Sequence, residues 1–427
     1  MNRSWLAAAG LAAAWVLAPH SAQALQPLDE FLKASRARSP LVLQSRALET
    51  SAEATASAES RRLWPSLTAR AGYTRNEHAS EARIPDGQGG FREATITPQD
   101  QLEAVLSLDV PLVDVAQWRR VGAASEGTQA ARARAIDTTD GILRRVARAW
   151  HQVAAGEAVK AAAARSLAVA EKNLVQAEAR LQAGTANELE QQRAVAEVAR
   201  ARQSLVEAER AADLARRTLQ SLTGVTPAAG GADAEVPLED PAPLPAEAGA
   251  RVPAVQAAEA ARRQAEGQAS AASAVVLPTL AANLSERITN ATGFSGENTA
   301  YTAGVTLTWR LDGASFAQAD AQSAAARAQA HGATQTALEA QDRAYDAWLT
   351  VRSQVARVRA AMAEAAATKR AAELARTRFD NGASTQLEAV QAERDAFQAE
   401  VGAIQARADL AYARLDLSLA LGEEVEP

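Results

Sequence analysis

"RFDNGASTQLEAVQAERDAFQAE" spans Arg378–Glu400, and "RLQAGTANELEQQRAVAEVARAR" spans Arg180–Arg202. A shift of 198 positions lays one on the other: Arg180 on Arg378, Gly184 on Gly382, Glu190 on Glu388 and Ala194 on Ala392. The register holds without a gap to Gly224 and Gly422. In both copies a glycine in a polar setting interrupts a long tract of helix formers. A residue that takes positive φ freely is what a helix needs at its C-terminal cap before the chain reverses. The two stretches therefore predict two helical hairpins, with tips at residues 183–187 and 381–385.

Proline marks where those hairpins can run. None lies between Pro111 and Pro227 or between Pro278 and Pro427, whereas six fall from Pro227 to Pro253. Proline costs ~3 kcal/mol inside a helix, so the proline-free tracts are the helical ones. In the first, Val146, Val153, Leu167, Leu174 and Leu181 follow a seven-residue spacing interrupted at Lys160. Ala163, Ala170 and Ala177 form a second seam, and Val198, Leu205, Ala212 and Leu219 continue beyond the tip. In the second, Val351, Val358, Ala365, Ala372 and Phe379 precede the tip, and Phe397, Ile404 and Ala411 follow it. Such a repeat supports a left-handed antiparallel coiled coil. The descending helices would span residues 114–181 and 314–380, ~100 Å each at ~1.5 Å per residue. Gly122, Gly127, Gly141 and Gly156 are expected to weaken the upper part of the first.

Four segments have period two instead. "LTARAGYT", "AVLSLDV", "LAANLSER" and "YTAGVTLTWRL" alternate apolar with polar residues, most cleanly from Tyr301 to Leu311. This suits a membrane barrel with an apolar outside; the same alternation works for a half-buried sheet on a soluble core, and the secretion signal and the matched pairs of strands favour the barrel. Polar stretches at 78–100 and 288–299 read as exposed loops. The chain thus divides into a signal (1–24), a first repeat (25–224), a proline-rich linker (225–253) and a second repeat (254–427). The first repeat carries a helix, strands near 64–77 and 101–112, and a coiled-coil hairpin at 114–224. The second carries a helix, strands near 277–289 and 300–312, and a hairpin at 314–422.

The bulk properties agree with this plan. Hydrophobic residues make up 48% but aromatics only 4%, since alanine supplies much of the apolar content. That favours long helices in close contact over an enzyme core. The net charge of -6 argues against nucleic acid as a partner. Arg3, the apolar run "WLAAAGLAAAWVLA" and "AQA" at 22–24 form a secretory signal, expected to be cleaved after Ala24. With no cysteine in the chain, neither a disulfide nor a lipid-bearing N-terminal cysteine is available. The four histidines do not pair at ligand spacing, no cofactor motif occurs, and "GQGG" at 87–90 reads as a flexible loop. No enzyme activity is expected.

Several short motifs, in this order, resemble the TolC-like outer-membrane efflux protein family. They are "WPSL" at Trp64–Leu67, "LPTL" at Leu277–Leu280, "VPLVD" at Val110–Asp114, the two R-x-x-x-G tips, and "LTG" at 222–224 with "ALG" at 420–422. The resemblance covers nearly all of the chain after the signal. It implies a mainly α fold with a membrane β-barrel part. Three copies would each give four strands to one 12-stranded barrel, above an α-helical periplasmic tunnel. It also implies an outer-membrane exit duct fed by an inner-membrane pump through a periplasmic adaptor. Independently, four strands are too few to close a barrel with a lumen.

The resemblance also suggests roles for residues. Carboxylates six and nine residues past the second tip glycine would line the narrowest ring; these positions are Glu388 and Gln391, the second uncharged. Glu190 is the acidic counterpart beyond the first tip. The family's latch tyrosine and arginine are Phe379 and Ser384 here, which leaves Arg193 or Arg394 as alternative contacts. Arg180, Gly184, Arg378 and Gly382 mark the tips where an adaptor would dock, although capping explains the glycines and the helix dipole explains the arginines equally well. Glu388 can equally be read as a solvated helix residue. Competing readings are a periplasmic adaptor, which should carry one hairpin between β domains, and a structural coiled-coil protein of the envelope. The substrate stays open among drugs, metal ions and secreted proteins.

Overall fold

The computed structural model describes residues 25–85, 89–228, 230 and 236–423. The expected secretion signal lies outside the described residues. In chain order the elements are α1 (Leu28–Arg38), α2 (Pro40–Arg61), β1 (Ser66–Arg75), β2 (Ser80–Pro85), β3 (Phe91–Thr97) and β4 (Asp100–Val113). Next come α3 (Val115–Gln182), α4 (Glu188–Thr223), α5 (Pro253–Ala274), β5 (Thr279–Thr289), β6 (Thr299–Thr308), α6 (Gly313–Asp380) and α7 (Gln386–Ala420).

The four long strands form one antiparallel sheet in the order β1-β4-β5-β6. The helices attached to them keep that order: α2 packs on α3, α3 on α5, and α5 on α6. Sheet and helices are therefore one continuous wall, four elements wide. At the other end α3 pairs with α4 and α6 with α7, and the two hairpins touch through α3 and α7.

The sheet's two faces are what decide its environment. Register places Leu67, Leu108, Leu284 and Ala303 in one row; the next row toward the helices holds Val110, Ala282 and Val305. Along β4, apolar Leu102, Ala104 and Leu106 are exposed, whereas Gln101, Glu103, Val105 and Ser107 are half-buried. A sheet on a soluble core shows the reverse. The apolar face is the open one, as required of a wall set against lipid. Glu286, opposite Tyr301, is a charged interruption of that face, and among the described residues nothing pairs with it.

Helix ends follow local chemistry. Asp114 and Asp312 cap α3 and α6, accepting from the N–H groups of Gln117 and Ser315 at 2.8 Å each. Both long helices run 68 residues. The glycines in α3 do not break it. At Gly156 a Cβ would lie 3.2 Å from the Ala212 Cα, so this glycine permits the close approach of α4.

Packing is alanine-based with a few large anchors. Phe31, Leu32 and Val42 of the N-terminal helices fill a core with Val146, Val153 and Leu219, and the Trp150 indole donates to the Gln26 carbonyl at 2.9 Å. In the second hairpin Val351, Val355 and Val358 meet Ala406, Leu410 and Ala413.

Four expectations need correction. The helix before β1 is broken at Ser39, whose extended backbone precedes Pro40 at the start of α2. The stretch 78–100 is not only loop: β2 and β3 pair within it, with Arg83 facing Glu93, and the Gly293 N–H of the other loop docks on the Thr95 carbonyl at 3.0 Å. Strand β6 stops at Thr308, short of Leu311, and the Trp309 indole instead donates to the Val276 carbonyl at 3.0 Å. In α7, Phe397, Ile404 and Ala411 are only half-buried, and Ala399, Ala403, Ala406, Leu410 and Ala413 carry the seam.

Candidate functional site

Both tips are built alike. Gly184 and Gly382 have φ of 72° and 73°. Their N–H groups donate to the Leu181 and Phe379 carbonyls, and the following N–H groups of Thr185 and Ala383 reach back to Arg180 and Arg378. This paired pattern closes the helix with a left-handed residue. After the turn, Asn187 and Thr385 cap the ascending helices by accepting from the N–H groups of Glu190 and Glu388, at 3.0 and 3.3 Å. Glu190 and Glu388 thus stand in the first turn, where a carboxylate suits the positive end of the helix.

The side chains then diverge. Glu388 and Gln391 are exposed on α7. Glu190 instead borders a gap of about 10 Å³ between the hairpins, with Arg180, Arg376, Phe379 and Gln386. The Arg180 guanidinium lies over the Phe379 ring, 4.4 Å from its centroid, a favourable cation–π arrangement that joins the two tips. Arg378 folds back toward its own helix end, donating to the Ala383 carbonyl at 3.4 Å. The Ser384 hydroxyl donates to Ala375 at 3.4 Å.

Above the tips lies a polar cluster that the sequence reading missed. Arg376 of α6 bonds Asn173 and Gln176 of α3, and lies 3.4 Å from Glu393 of α7 and 3.5 Å from Asp380. The Asn173 amide donates to Glu393 at 2.8 Å. Three helices from both hairpins meet in this cluster. Farther along, Arg394 pairs with Glu197 at 2.8 Å and Arg165 with Glu400 at 2.7 Å, again between hairpins. Of the two arginines considered as alternative contacts, Arg394 makes this link and Arg193 is exposed. Asn173, a buried amide three residues past Ala170 of the alanine seam, was the available signal.

Burial raises the Glu393 pKa, against the opposing pull of Asn173 and Arg376. The folded state therefore holds this proton more tightly than the unfolded state, and the protein loses stability as pH rises toward the raised pKa. Glu393→Gln, which mimics the protonated carboxyl, should gain stability relative to wild type as pH rises. Paired thermal melts at pH values from 4.5, the ordinary glutamate value, upward check this; a pH-independent difference would contradict it.

A lipid-adapted sheet continuous with a water-exposed, coiled-coil stalk defines the chain of an outer-membrane channel protein. The profile of the outer membrane efflux protein family matches residues 31–225 and 244–423, so the chain belongs to that family. It is an outer-membrane protein that extends into the periplasm. No curated protein sequence matches it significantly. Among solved structures it is similar to the CmeC outer membrane channel of Campylobacter jejuni, with TM-score 0.80 and 14% identity over 94% of this chain and 88% of that one. It is similar to VceC of Vibrio cholerae, with TM-score 0.75 and 18% identity over 93% and 97% of the two chains. The open state of the Neisseria gonorrhoeae MtrE channel gives 0.76 and 21%, over 94% and 90%. At these identities the likeness is one of fold.

Proposed function

We propose that this chain is the outer-membrane exit duct of a tripartite efflux or type I secretion system, working as a homotrimer. The observation that carries the reading is the pair of free sheet edges. Strands β1 and β6 each have one unpaired edge on a lipid-adapted wall, where open backbone groups are not tolerated. The order β1-β4-β5-β6 alternates in direction, so the β6 edge of one copy meets the β1 edge of the next antiparallel. Such head-to-tail pairing closes into a ring, and three copies make a 12-stranded barrel with outer-membrane lipid outside. The stalk would carry substrate from an inner-membrane pump, with a periplasmic adaptor docked around Arg180, Gly184, Arg378 and Gly382.

The test uses the absence of cysteine. Single cysteines on β1 and β6, combined and oxidised in outer membranes, should give a cross-linked ladder ending at the trimer. Unboiled gels should show the same heat-sensitive species. Monomers alone in both assays would sink the reading.

In such a trimer the exposed Glu388 side chains would converge at the periplasmic entrance, with neutral Gln391 beside them. A carboxylate ring attracts cations. Glu388→Ala should lower cation preference and weaken block by multivalent cations in single-channel recordings. Unchanged selectivity and block would place the constriction elsewhere.

A further inference from the structure

The polar face of the sheet carries charge in an uneven way. Arg70 of β1, Val105 of β4 and Arg287 of β5 stand in one row, each paired with the next across the ladder. All three therefore point to the same face, opposite to Ala69, Leu106 and the lipid-facing row. Glu103, one step along β4 on that face, lies 3.0 Å from the Arg287 guanidinium. It pairs across the ladder with Gly72 on the β1 side, so no side chain from β1 stands beside it there. Arg287 is thus neutralised locally. Arg70 has no carboxylate partner among the described residues, and its side chain is exposed.

We propose that Arg70, backed by the Arg287–Glu103 pair, forms a cationic belt inside the barrel that binds anionic groups of passing solutes, carboxylate or phosphate in class. The inference rests on the duct reading, because only a closed barrel turns this face into a lumen. One uncompensated guanidinium per copy would become three around a ring. Arginine in a narrow, partly screened lumen attracts anions and presents a planar fork that fits carboxylate or phosphate. The belt is opposite in sign to the Glu388 position at the far end of the helices, so the two would select for different parts of a solute.

Val105→Cys places a probe between Arg70 and Arg287 in a chain with no other cysteine. Its labelling in intact outer membranes is compared for an anionic and a cationic thiosulfonate reagent of similar size. The anionic reagent should react faster, and Arg70→Gln should reduce that preference by about threefold or more, as expected for removing a unit charge at side-chain distance in water. Arg70→Lys should retain the preference. An anion preference that is absent, or that survives Arg70→Gln, overturns the belt while leaving the duct intact. Leu106→Cys, on the opposite face, separates the two failures. If Leu106→Cys is labelled and Val105→Cys is not, the face assignment is inverted and the belt falls while the edge pairing behind the duct reading stands; if both are labelled alike, no closed barrel shields either face and the two fall together.

Discussion

Val305→Arg should leave almost no assembled channel in the outer membrane, while Thr306→Arg, one residue on, should assemble. Val305 lies on the apolar face in register with Ala282 of β5, between the rows of Ala303 and Leu307. Its side chain is 66% exposed in the protomer, as a lipid-facing residue must be. An arginine facing lipid costs about 2–4 kcal/mol near the bilayer midplane. Three copies would carry the cost together, so the assembled species would lose about 6–12 kcal/mol if the sites act independently. That is comparable to the whole stability of a typical domain. Thr306 pairs with Ala281 on the polar face, where an added cation meets water. The readout is the heat-sensitive oligomer on unboiled gels, with total protein as the control. Equal assembly of both variants would mean that the face assignment carries no energetic weight, and the reverse order would mean that the register is inverted.

The parts legible in the sequence were those fixed by neighbours along the chain. Gly184 and Gly382 announce their turns because only a left-handed residue closes such a helix. The alternation from Tyr301 to Thr308 announces its strand because side chains change face at every residue. What stayed hidden depends on distant placement. The β2–β3 hairpin has short strands and few large apolar residues, so its period is weak. The larger Phe397 and Ile404 mark the period of α7 in the sequence, whereas this close-packed wall buries the small residues beside them. The choice between membrane and soluble sheet could not be made from alternation, since both environments produce it; the exposed apolar side of β4 decides it. Arg376 gave no signal, because its partners lie about two hundred positions away on α3 and only the packing of one hairpin on the other brings them together. Gly156 looks like a weak point in an isolated helix and becomes a contact point once α4 lies against it.

Arg376→Ala should loosen one hairpin from the other without unfolding either. Each hairpin keeps its own seam, Ala170 with Val198 and Ala201 in the first and Val351 with Leu410 in the second. The substitution removes donors shared by Asn173 and Gln176 of α3 and Glu393 of α7. It leaves a half-buried carboxylate and two amide oxygens short of partners. Groups left unsatisfied in this way cost about 1–3 kcal/mol, and the lower part of that range fits a pair whose side chains are 21% and 22% exposed. Stability alone would register this weakly. Position should register it strongly, because the remaining links, Arg180 on Phe379, Arg394 to Glu197 and Arg165 to Glu400, involve more exposed groups. Spin labels at Ala183 and Asn381, one on each tip, would report the distance between hairpins in the cysteine-free chain. The distribution should broaden and shift outward in Arg376→Ala. Arg376→Lys should restore it in part, since a lysine keeps the charge but cannot serve α3 and α7 through one planar fork. Combining Arg376→Ala with Glu393→Gln should cost less than the two singly, because the buried charge left without a partner is gone as well. An unchanged distance in Arg376→Ala would show that the hairpins are held by their alanine contacts and that the polar cluster follows the packing instead of fixing it.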